Sequence, residues 1–323
     1  MRRVMTLGHS RMARAGSPRG RRRRAWIGPA IALVVAGCAS GAGSPSPDAR
    51  SVVVTYSVLG SIVKDLVGDA ATVTVLMPNG ADPHEWSPSA QDIETMTKAD
   101  LLVENGLGLE GGMGDAFTQA ERAGVKRFIA SDHITIRHVG EGEGADPSDP
   151  DQAPGAEDPH LWMDPLTMKD VVVALAARLQ SDVGIDVSSR ATDLEARLTT
   201  LNDQVAGVVN TVPEAQRSLV TGHESLGYFA ERYDYRLVGA IVPSLTTQAE
   251  TSAADLAALE AKIKATGVKA IFTELGTDPS VAETVGMDTG AKVVELTTHA
   301  LPADGSYFTF MTDIAHLVAD NLK

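Results

Sequence analysis

Four of the eight histidines in the chain lie in short, distinctive sequence contexts, two in each half of the protein. His84 and His160 each follow an Asp-Pro pair, and each precedes a tryptophan by two residues. His223 and His299 each come shortly after a run rich in β-branched residues. Neutral imidazole is the commonest side-chain ligand of transition metals, and four imidazoles suit the tetrahedral coordination of Zn²⁺. We therefore predict that these four side chains form one metal site.

Taken singly, each histidine also fits a role without metal. His84 fits a capping histidine on a surface loop, and His223 or His299 fits a buried, hydrogen-bonded histidine. The repeat of the Asp-Pro-His pattern in two separate segments favours ligation for His84 and His160 together. We expect all four to lie at the carboxyl ends of strands, where ligands of α/β proteins collect.

Two sets of four strand-like segments, separated by helical patterns, are expected to position these histidines. This alternation is typical of a parallel sheet with βαβ connections. The segments are Val52–Ser57, Thr72–Met77, Leu101–Asn105 and Arg127–Ser131, then Ser218–Thr221, Arg236–Val242, Ala270–Glu274 and Lys292–Leu296. We predict an α/β protein of two lobes, each with a four-stranded, mainly parallel sheet flanked by helices, joined by one long rigid helix.

The predicted linking helix covers residues 188–211, between an N-terminal lobe of residues 51–187 and a C-terminal lobe of residues 212–323. Its apolar residues recur at spacings of three and four, which indicates one buried face. They are Ala191, Leu194, Leu198, Leu201, Val205 and Val208. Ser188 or Ser189 is suited to cap its start. About 22 residues would span about 33 Å; an ordinary surface helix of one lobe is the alternative.

Residues 1–37 are typical of an export signal, because nine arginines and no acid precede or flank a short apolar run. The run ends in Val35-Ala-Gly-Cys38, which resembles a bacterial lipobox. That resemblance implies cleavage before Cys38 and a lipid on its sulfur; a plain signal peptide or an uncleaved anchor is the alternative. Residues 38–50 are rich in Ser, Gly, Pro and Ala, so we predict a flexible tether.

Loss of residues 1–37 changes the net charge from −14 to −23. Such an acidic chain is a poor partner for nucleic acid and favours cationic ligands. Residues 138–157 hold six acids and no apolar periodicity, which predicts a mobile acidic loop. Gathering metal is an alternative role for that loop.

Several segments resemble those of the bacterial zinc/manganese ABC-transporter solute-binding lipoproteins. The matching stretches are residues 78–88, 99–110, 158–165 and 220–229, within a resemblance that runs from about residue 52 to the end. It implies two α/β lobes with the metal between them, and an ABC permease and its ATPase as partners. It also implies a location outside the cytoplasm, lipid-anchored at the outer face of the cell membrane or periplasmic. We expect a monomer without enzymatic activity.

By this resemblance, His84 and His160 match the two ligands of the first lobe, and His223 matches the third ligand of zinc-type members. Manganese-type members usually carry a carboxylate at the third position. The fourth ligand is usually an aspartate, where this chain has His299. The alternatives for the fourth ligand are Asp304, Glu295 or water.

Capture of Zn²⁺ for import is therefore the predicted function, because imidazoles outnumber hard oxygen ligands. The same scaffold used for manganese or iron is the first alternative. A zinc hydrolase is a distant alternative, since catalytic zinc keeps an open position and needs a nearby base. Each ligand ring also needs an acceptor for its second nitrogen. The candidate acceptors are Asp82, Glu85, Asp158, Glu224 and Glu274.

Overall fold

The computed structural model describes residues 50–141, 143 and 153–323. The predicted signal peptide, Cys38 and residues 39–49 of the predicted tether lie outside the described residues, as do residues 142 and 144–152 of the acidic loop. No helix in the described part of the chain combines the length and apolar character needed to span a bilayer.

Two four-stranded sheets form the centre of the fold, and every strand pair in both is parallel. The strands are β1 (Ser51–Val54), β2 (Thr72–Val75), β3 (Leu101–Glu104), β4 (Lys126–Ile129), β5 (Ser218–Thr221), β6 (Arg236–Ala240), β7 (Ala270–Thr273) and β8 (Lys292–Glu295). Their orders are β2-β1-β3-β4 and β6-β5-β7-β8. The two sheets thus repeat one topology, and the predicted fold class is confirmed.

Nine α-helices of the described chain flank the sheets. They are α1 (Ser57–Val67), α2 (Ala90–Thr97), α3 (Gly114–Arg122), α4 (Pro165–Arg178), α5 (Ser188–Val209), α6 (Gly227–Tyr233), α7 (Ala253–Thr266), α8 (Pro279–Thr289) and α9 (Tyr307–Leu322). Capping boxes begin α2 and α7, where Ser89 pairs with Asp92 and Ser252 with Asp255. These reciprocal bonds fix the point at which each loop turns into a helix.

The long helix α5 has the buried face that its apolar spacing predicts, except that Val209 is buried in place of Val208. It packs against α1 and α4, which flank the first sheet, and against α9, which follows the last strand of the second. Contact with helices from both halves favours a linking helix over a surface helix of one lobe. Neither Ser188 nor Ser189 caps it; Asp186 accepts a hydrogen bond from the Ser188 backbone instead.

The ends of the acidic loop are ordered by backbone pairing. His138 and Glu157 form an antiparallel bridge. The Val139 amide donates to the Ala156 carbonyl at 2.8 Å. This pairing places residue 158 at the start of the segment that leads to His160.

Candidate metal centre

The structure brings all four predicted histidines together. One ring nitrogen from each of His84, His160, His223 and His299 lies within 4.8 Å of the others, and all four residues are buried. The Nε2 atom of His160 lies 3.4 Å from Nε2 of His84 and 3.1 Å from Nε2 of His223. Nε2 of His299 is buried and has no hydrogen-bond partner among the described residues.

The two shortest separations given above are close to the dimensions of a tetrahedral metal site. With metal–nitrogen distances of about 2.0–2.1 Å, neighbouring nitrogens of a tetrahedron lie about 3.3–3.4 Å apart. A buried imidazole nitrogen without a partner, as His299 Nε2 is among the described residues, is costly. A cation at the centre would satisfy this nitrogen together with the other three.

Three of the four histidines lie just beyond carboxyl ends of strands, as expected. His84 follows β2, His223 follows β5, and His299 follows β8. His160 does not follow a strand along the chain, since β4 ends at Ile129, but the carbonyl of the preceding Pro159 accepts a hydrogen bond of 2.8 Å from Asn105, which directly follows β3. His160 instead precedes a single helical turn that leads into α4.

The helix α4 was missed by the strand-and-helix pattern. Its start carries a clear signal, since the Asp164 side chain accepts a hydrogen bond from the Leu166 amide and Pro165 occupies the first helical position. Arg232 from α6 donates two hydrogen bonds to the same Asp164 carboxylate. This pair therefore connects the His160 segment to the second half of the molecule.

A carboxylate orients His160. Asp158 Oδ1 lies 2.9 Å from His160 Nδ1 and also accepts a hydrogen bond from the His160 amide. The other carboxylate oxygen accepts a hydrogen bond from Arg137 at 3.2 Å. Gly227 leaves room for this pair, because a Cβ atom there would lie 2.1 Å from Asp158 Oδ2. Nδ1 of His160 is thus occupied, and Nε2 faces the cluster.

The rings of His223 and His299 lie beside polar groups of the second half. Glu274 Oε2 lies 3.4 Å from His223 Nδ1. Thr298 Oγ1 lies 3.0 Å from His299 Nδ1 and donates a hydrogen bond to Glu274. Both arrangements leave the Nε2 atoms of these rings facing the cluster.

The other candidate acceptors do not contact a histidine ring through a hydrogen bond within the described residues. Asp82 accepts a hydrogen bond from the His84 amide and fixes that loop through its backbone. Glu224 is buried next to His223 in the chain, and the hydrogen bond that it forms is made by its backbone amide, which donates to the Ser244 carbonyl. Glu85 is exposed, and no hydrogen bond of the described residues joins it to the cluster.

Neither acid suggested for the fourth position lies in the cluster. Asp304 accepts hydrogen bonds from the Ser306 amide and from Thr309 at the start of α9. Glu295 is exposed at the end of β8. His299 is the group that the fold places beside the other three rings.

Burial keeps most of these imidazoles neutral. It lowers the pKa of His84 to about 2 and that of His299 to about 3, with the neighbouring His160 adding to both shifts. The pKa of His223 is also lowered well below its usual value, first by burial. Neutral imidazole is the form that binds a metal. Burial raises the pKa of Glu274 to about 7, against hydrogen bonds from Ser225 and Thr298 that lower it.

Side chains on loops far apart in sequence hold the two halves together around the cluster. Asn79 exchanges two hydrogen bonds with the Leu301 backbone, each of 2.8 Å. Thr247 donates to Asp82, and Gln248 donates to the His84 carbonyl at 2.8 Å. The local sequence predicts none of these partners, because each bond joins residues more than 160 positions apart.

Trp162 packs directly against the cluster. Its fully buried ring lies 5.3 Å from the His160 ring and 5.5 Å from the His299 ring, between centroids. Its indole N–H donates to the Thr298 carbonyl, and its own carbonyl accepts from Tyr307. The tryptophan of the second Asp-Pro-His-x-Trp pattern thus closes one side of the site.

Residues 52–320 match the family described as zinc-uptake complex component A, periplasmic. The chain belongs to this family. Its members are metal-binding, substrate-binding components of ABC transporters, and the match covers nearly all of the described residues. The resemblance found in the sequence motifs is therefore confirmed.

Named relatives share about a quarter of their residues with this chain. A manganese ABC transporter substrate-binding lipoprotein, PsaA of Streptococcus pneumoniae, is 27% identical over 301 residues, which cover 88% of this chain and 93% of the relative. The metal ABC transporter lipoprotein FimA of Streptococcus parasanguinis is 27% identical over 300 residues, with the same coverage.

Solved structures agree on the fold. The periplasmic zinc-binding protein TroA of Treponema pallidum superposes with a TM-score of 0.71 at 25% identity, over 85% of this chain and 99% of that one. A manganese-bound periplasmic metal-binding protein from Candidatus Liberibacter asiaticus gives a TM-score of 0.71 at 20% identity, over 85% and 100% of the two chains.

Proposed function

We propose that this protein captures Zn²⁺ at His84, His160, His223 and His299 and delivers it to an ABC permease driven by its ATPase. The observation that carries the proposal is the set of four buried imidazoles, each with a ring nitrogen within 4.8 Å of the others, in which His160 Nε2 lies 3.4 Å and 3.1 Å from those of His84 and His223. No carboxylate of the described residues shares that cluster. Imidazole-rich tetrahedral sites favour zinc over metals that prefer oxygen ligands.

Manganese is the second candidate. The relatives PsaA of Streptococcus pneumoniae and MntA of Halalkalibacterium halodurans are named for manganese, and they match most of this chain. Family membership therefore supports either metal about equally. The donor set is what favours zinc here, since Mn²⁺ prefers carboxylate, carbonyl and water oxygens.

A zinc hydrolase is disfavoured by the same donor set. Catalytic zinc usually has three protein ligands and one open position for water. Four histidines would complete the coordination, and the family consists of substrate-binding components of transporters.

The relatives named above are lipoproteins, which supports a lipid on Cys38 and a location outside the cytoplasm. We propose that the lipid holds the protein at the outer face of the cell membrane and that the protein acts as a monomer. Labelling with a radioactive fatty acid in the producing cell would test the anchor, and the Cys38→Ala variant should remain unlabelled.

Competition titration of the mature chain with Zn²⁺ and Mn²⁺ against a chromophoric chelator tests the choice of metal. We expect one Zn²⁺ per chain, bound much more tightly than Mn²⁺. His84→Ala should lower zinc affinity by more than the roughly 10- to 100-fold that follows from loss of a residue hydrogen-bonded to a metal ligand. His316→Ala, an exposed histidine of α9, is the control and should bind zinc normally. Equal or tighter binding of Mn²⁺ would contradict the zinc proposal.

A further inference from the structure

We propose that Glu274 is a positioning residue that orients both histidines of the second half and supplies negative charge to a site whose ligands carry none. This inference rests on the proposed function, because it concerns how the same four histidines hold their metal. It assigns to the residue after β7 a role in affinity and metal preference.

Glu274 is buried at the centre of a group of polar side chains. Its Oε2 atom accepts hydrogen bonds from Ser225 and from Thr298, each at 2.5 Å, and lies 3.4 Å from His223 Nδ1. Its Oε1 atom and His223 Nδ1 are both buried without a hydrogen-bond partner among the described residues. With Oε2 at 3.4 Å, the Glu274 carboxylate is placed to accept a hydrogen bond from His223 Nδ1, which leaves His223 Nε2 for the metal.

The second ring is held through a hydroxyl group. Thr298 Oγ1 has one hydrogen, and it donates this hydrogen to Glu274. The same oxygen lies 3.0 Å from His299 Nδ1, so it can only accept from that ring. His299 must then carry its proton on Nδ1 and present Nε2 to the cluster. One carboxylate therefore sets the tautomer of two ligands.

Charge gives Glu274 a second role. A divalent cation on four neutral imidazoles leaves two positive charges in a buried place, and such charges are costly unless they are paired. Asp158 beside His160 is already paired with Arg137. Within the described residues, no lysine or arginine forms an ion pair with Glu274. No cationic side chain of the described residues therefore competes with a bound metal for the Glu274 carboxylate.

The backbone near Glu274 is built for close approach. Gly222, directly before His223, packs against the end of β7, where a Cβ atom would lie 2.8 Å from the Glu274 amide nitrogen and 3.1 Å from Glu274 Cβ. Any side chain at position 222 would push the two segments apart. The glycine therefore allows Glu274 to reach the ring of His223.

Three variants separate positioning and charge from simple packing. Glu274→Gln keeps the shape and removes the charge, and Glu274→Asp keeps the charge on a shorter side chain. Glu295→Gln is the matched control, since Glu295 also lies at the end of a strand of the same sheet but is exposed. Zinc affinity is measured by chelator competition, and the protonation of His223 and His299 is read from ¹⁵N imidazole NMR of the zinc-bound proteins.

We expect Glu274→Gln to lower zinc affinity roughly 10- to 100-fold. Glu274→Asp should retain more zinc affinity than Glu274→Gln. Glu295→Gln should bind zinc with the affinity of the wild type. The NMR signal of the His223 Nδ1 proton should move upfield in Glu274→Gln, because a neutral amide is a weaker acceptor than a carboxylate.

Two other results have distinct meanings. A Glu274→Gln variant with the zinc affinity and the NMR signal of the wild type would overturn this inference alone. Failure of the wild type to bind zinc would overturn the proposed function. Circular dichroism of each apo variant identifies loss of folding, and a Thr298→Val variant then tests the bond to His299 independently.

Discussion

His299 is the ligand candidate that separates this site from the pattern that the family resemblance implies. An aspartate is expected at the fourth position, and this chain offers a neutral imidazole that is 5% exposed. Exchanging imidazole for carboxylate changes both the charge of the site and the hardness of its donors. The metal preference should therefore depend on position 299 as well as on the third position, where this chain has His223.

His299→Asp should retain zinc and bind Mn²⁺ more tightly than the wild type does, because a hard anionic oxygen suits that metal. His299→Ala should lower zinc affinity less than His84→Ala does, since water can take the vacant coordination position. Chelator competition with both metals measures these effects. A zinc-bound crystal structure with His299 turned away from the metal would contradict the assignment.

Zinc affinity should depend only weakly on pH between 7 and 5. For four free imidazoles with pKa values near 6.5, the neutral fraction of each would fall about 25-fold over that range, so zinc affinity would fall about 4 × 10⁵-fold. Here the pKa values of His84 and His299 are lowered to about 2 and about 3, and that of His223 is lowered as well. A lowered pKa leaves the ring neutral until the pH approaches the lower value, so protons compete with the metal less. We expect a loss of less than about 100-fold, measured by competition titration at each pH; a loss near the free-imidazole value would contradict the buried, neutral rings.

The local sequence predicted the four ring positions because the Asp-Pro-His repeat and the strand ends are features of short segments. It did not predict which acid serves which ring. Asp158 lies two residues from His160 and was within reach of local reasoning, whereas Glu274 lies 51 positions after His223 and contacts it only through the pairing of β5 with β7. The sequence also left Asp304 as a candidate ligand, because the hydrogen bonds that hold it at the start of α9 form only in the folded chain.

At the scale of elements, the contact between α6 and the His160 segment depends on a glycine at the helix start. Gly227 begins α6, and a Cβ atom there would also lie 2.5 Å from Arg137 Nη1. Arg137 and Asp158 occupy this space and are both buried. The position of His160 thus depends on how closely α6 packs against Arg137 and Asp158.

Gly227→Ala should destabilise the protein by about 1–3 kcal/mol, as overpacking of a core does, and should weaken zinc by displacing Asp158. Gly207→Ala is the control, because a Cβ atom at Gly207 in α5 meets nothing within 4 Å. That variant should be stabilised by about 0.5–1 kcal/mol, since alanine favours a helix over glycine. Urea unfolding of both apo proteins measures the two changes, and equal effects would contradict the close packing at Gly227.

The strands were predictable from their β-branched, apolar runs, and α5 was predictable from apolar residues at spacings of three and four. The start of α5 was not, since neither serine is the N-cap: Val187 occupies that position, and Asp186 before it accepts a hydrogen bond from the Ser188 amide. The helix α4 shows the reverse case, because its apolar residues give little periodicity while its Asp-Pro start is distinct. Element ends depend on single hydrogen bonds, which periodicity does not report.

At the scale of the whole molecule, both halves have cores of their own sheets, and one continuous hydrophobic cluster includes residues of β1, β3, α5 and α9. We therefore expect the fold to form without metal, in contrast to small zinc domains. The bonds that cross between the halves, such as those of Asn79 and Gln248, hold the site in shape.

The apo protein should remain folded after treatment with a chelator, and zinc should raise its melting temperature. Binding to the native state alone adds about 4 kcal/mol to the free energy of unfolding at a thousandfold excess of zinc over Kd. Calorimetry with zinc and with chelator measures the shift, and circular dichroism reports the apo fold. A disordered apo chain would show that folding requires the metal.

The position of Trp162 should make its fluorescence a reporter of metal binding. Apart from Trp26 in the predicted leader, the chain has only Trp86 and Trp162, each two residues after a candidate ligand. The Trp162 indole is fully buried and lies against two imidazoles of the cluster. Its ultraviolet emission should therefore change when an ion enters. Zn²⁺ has a filled d shell and should alter the emission without paramagnetic quenching. Mn²⁺ in the same position should quench the emission. The fluorescence of one side chain would therefore distinguish an empty site, a zinc-filled site and a manganese-filled site.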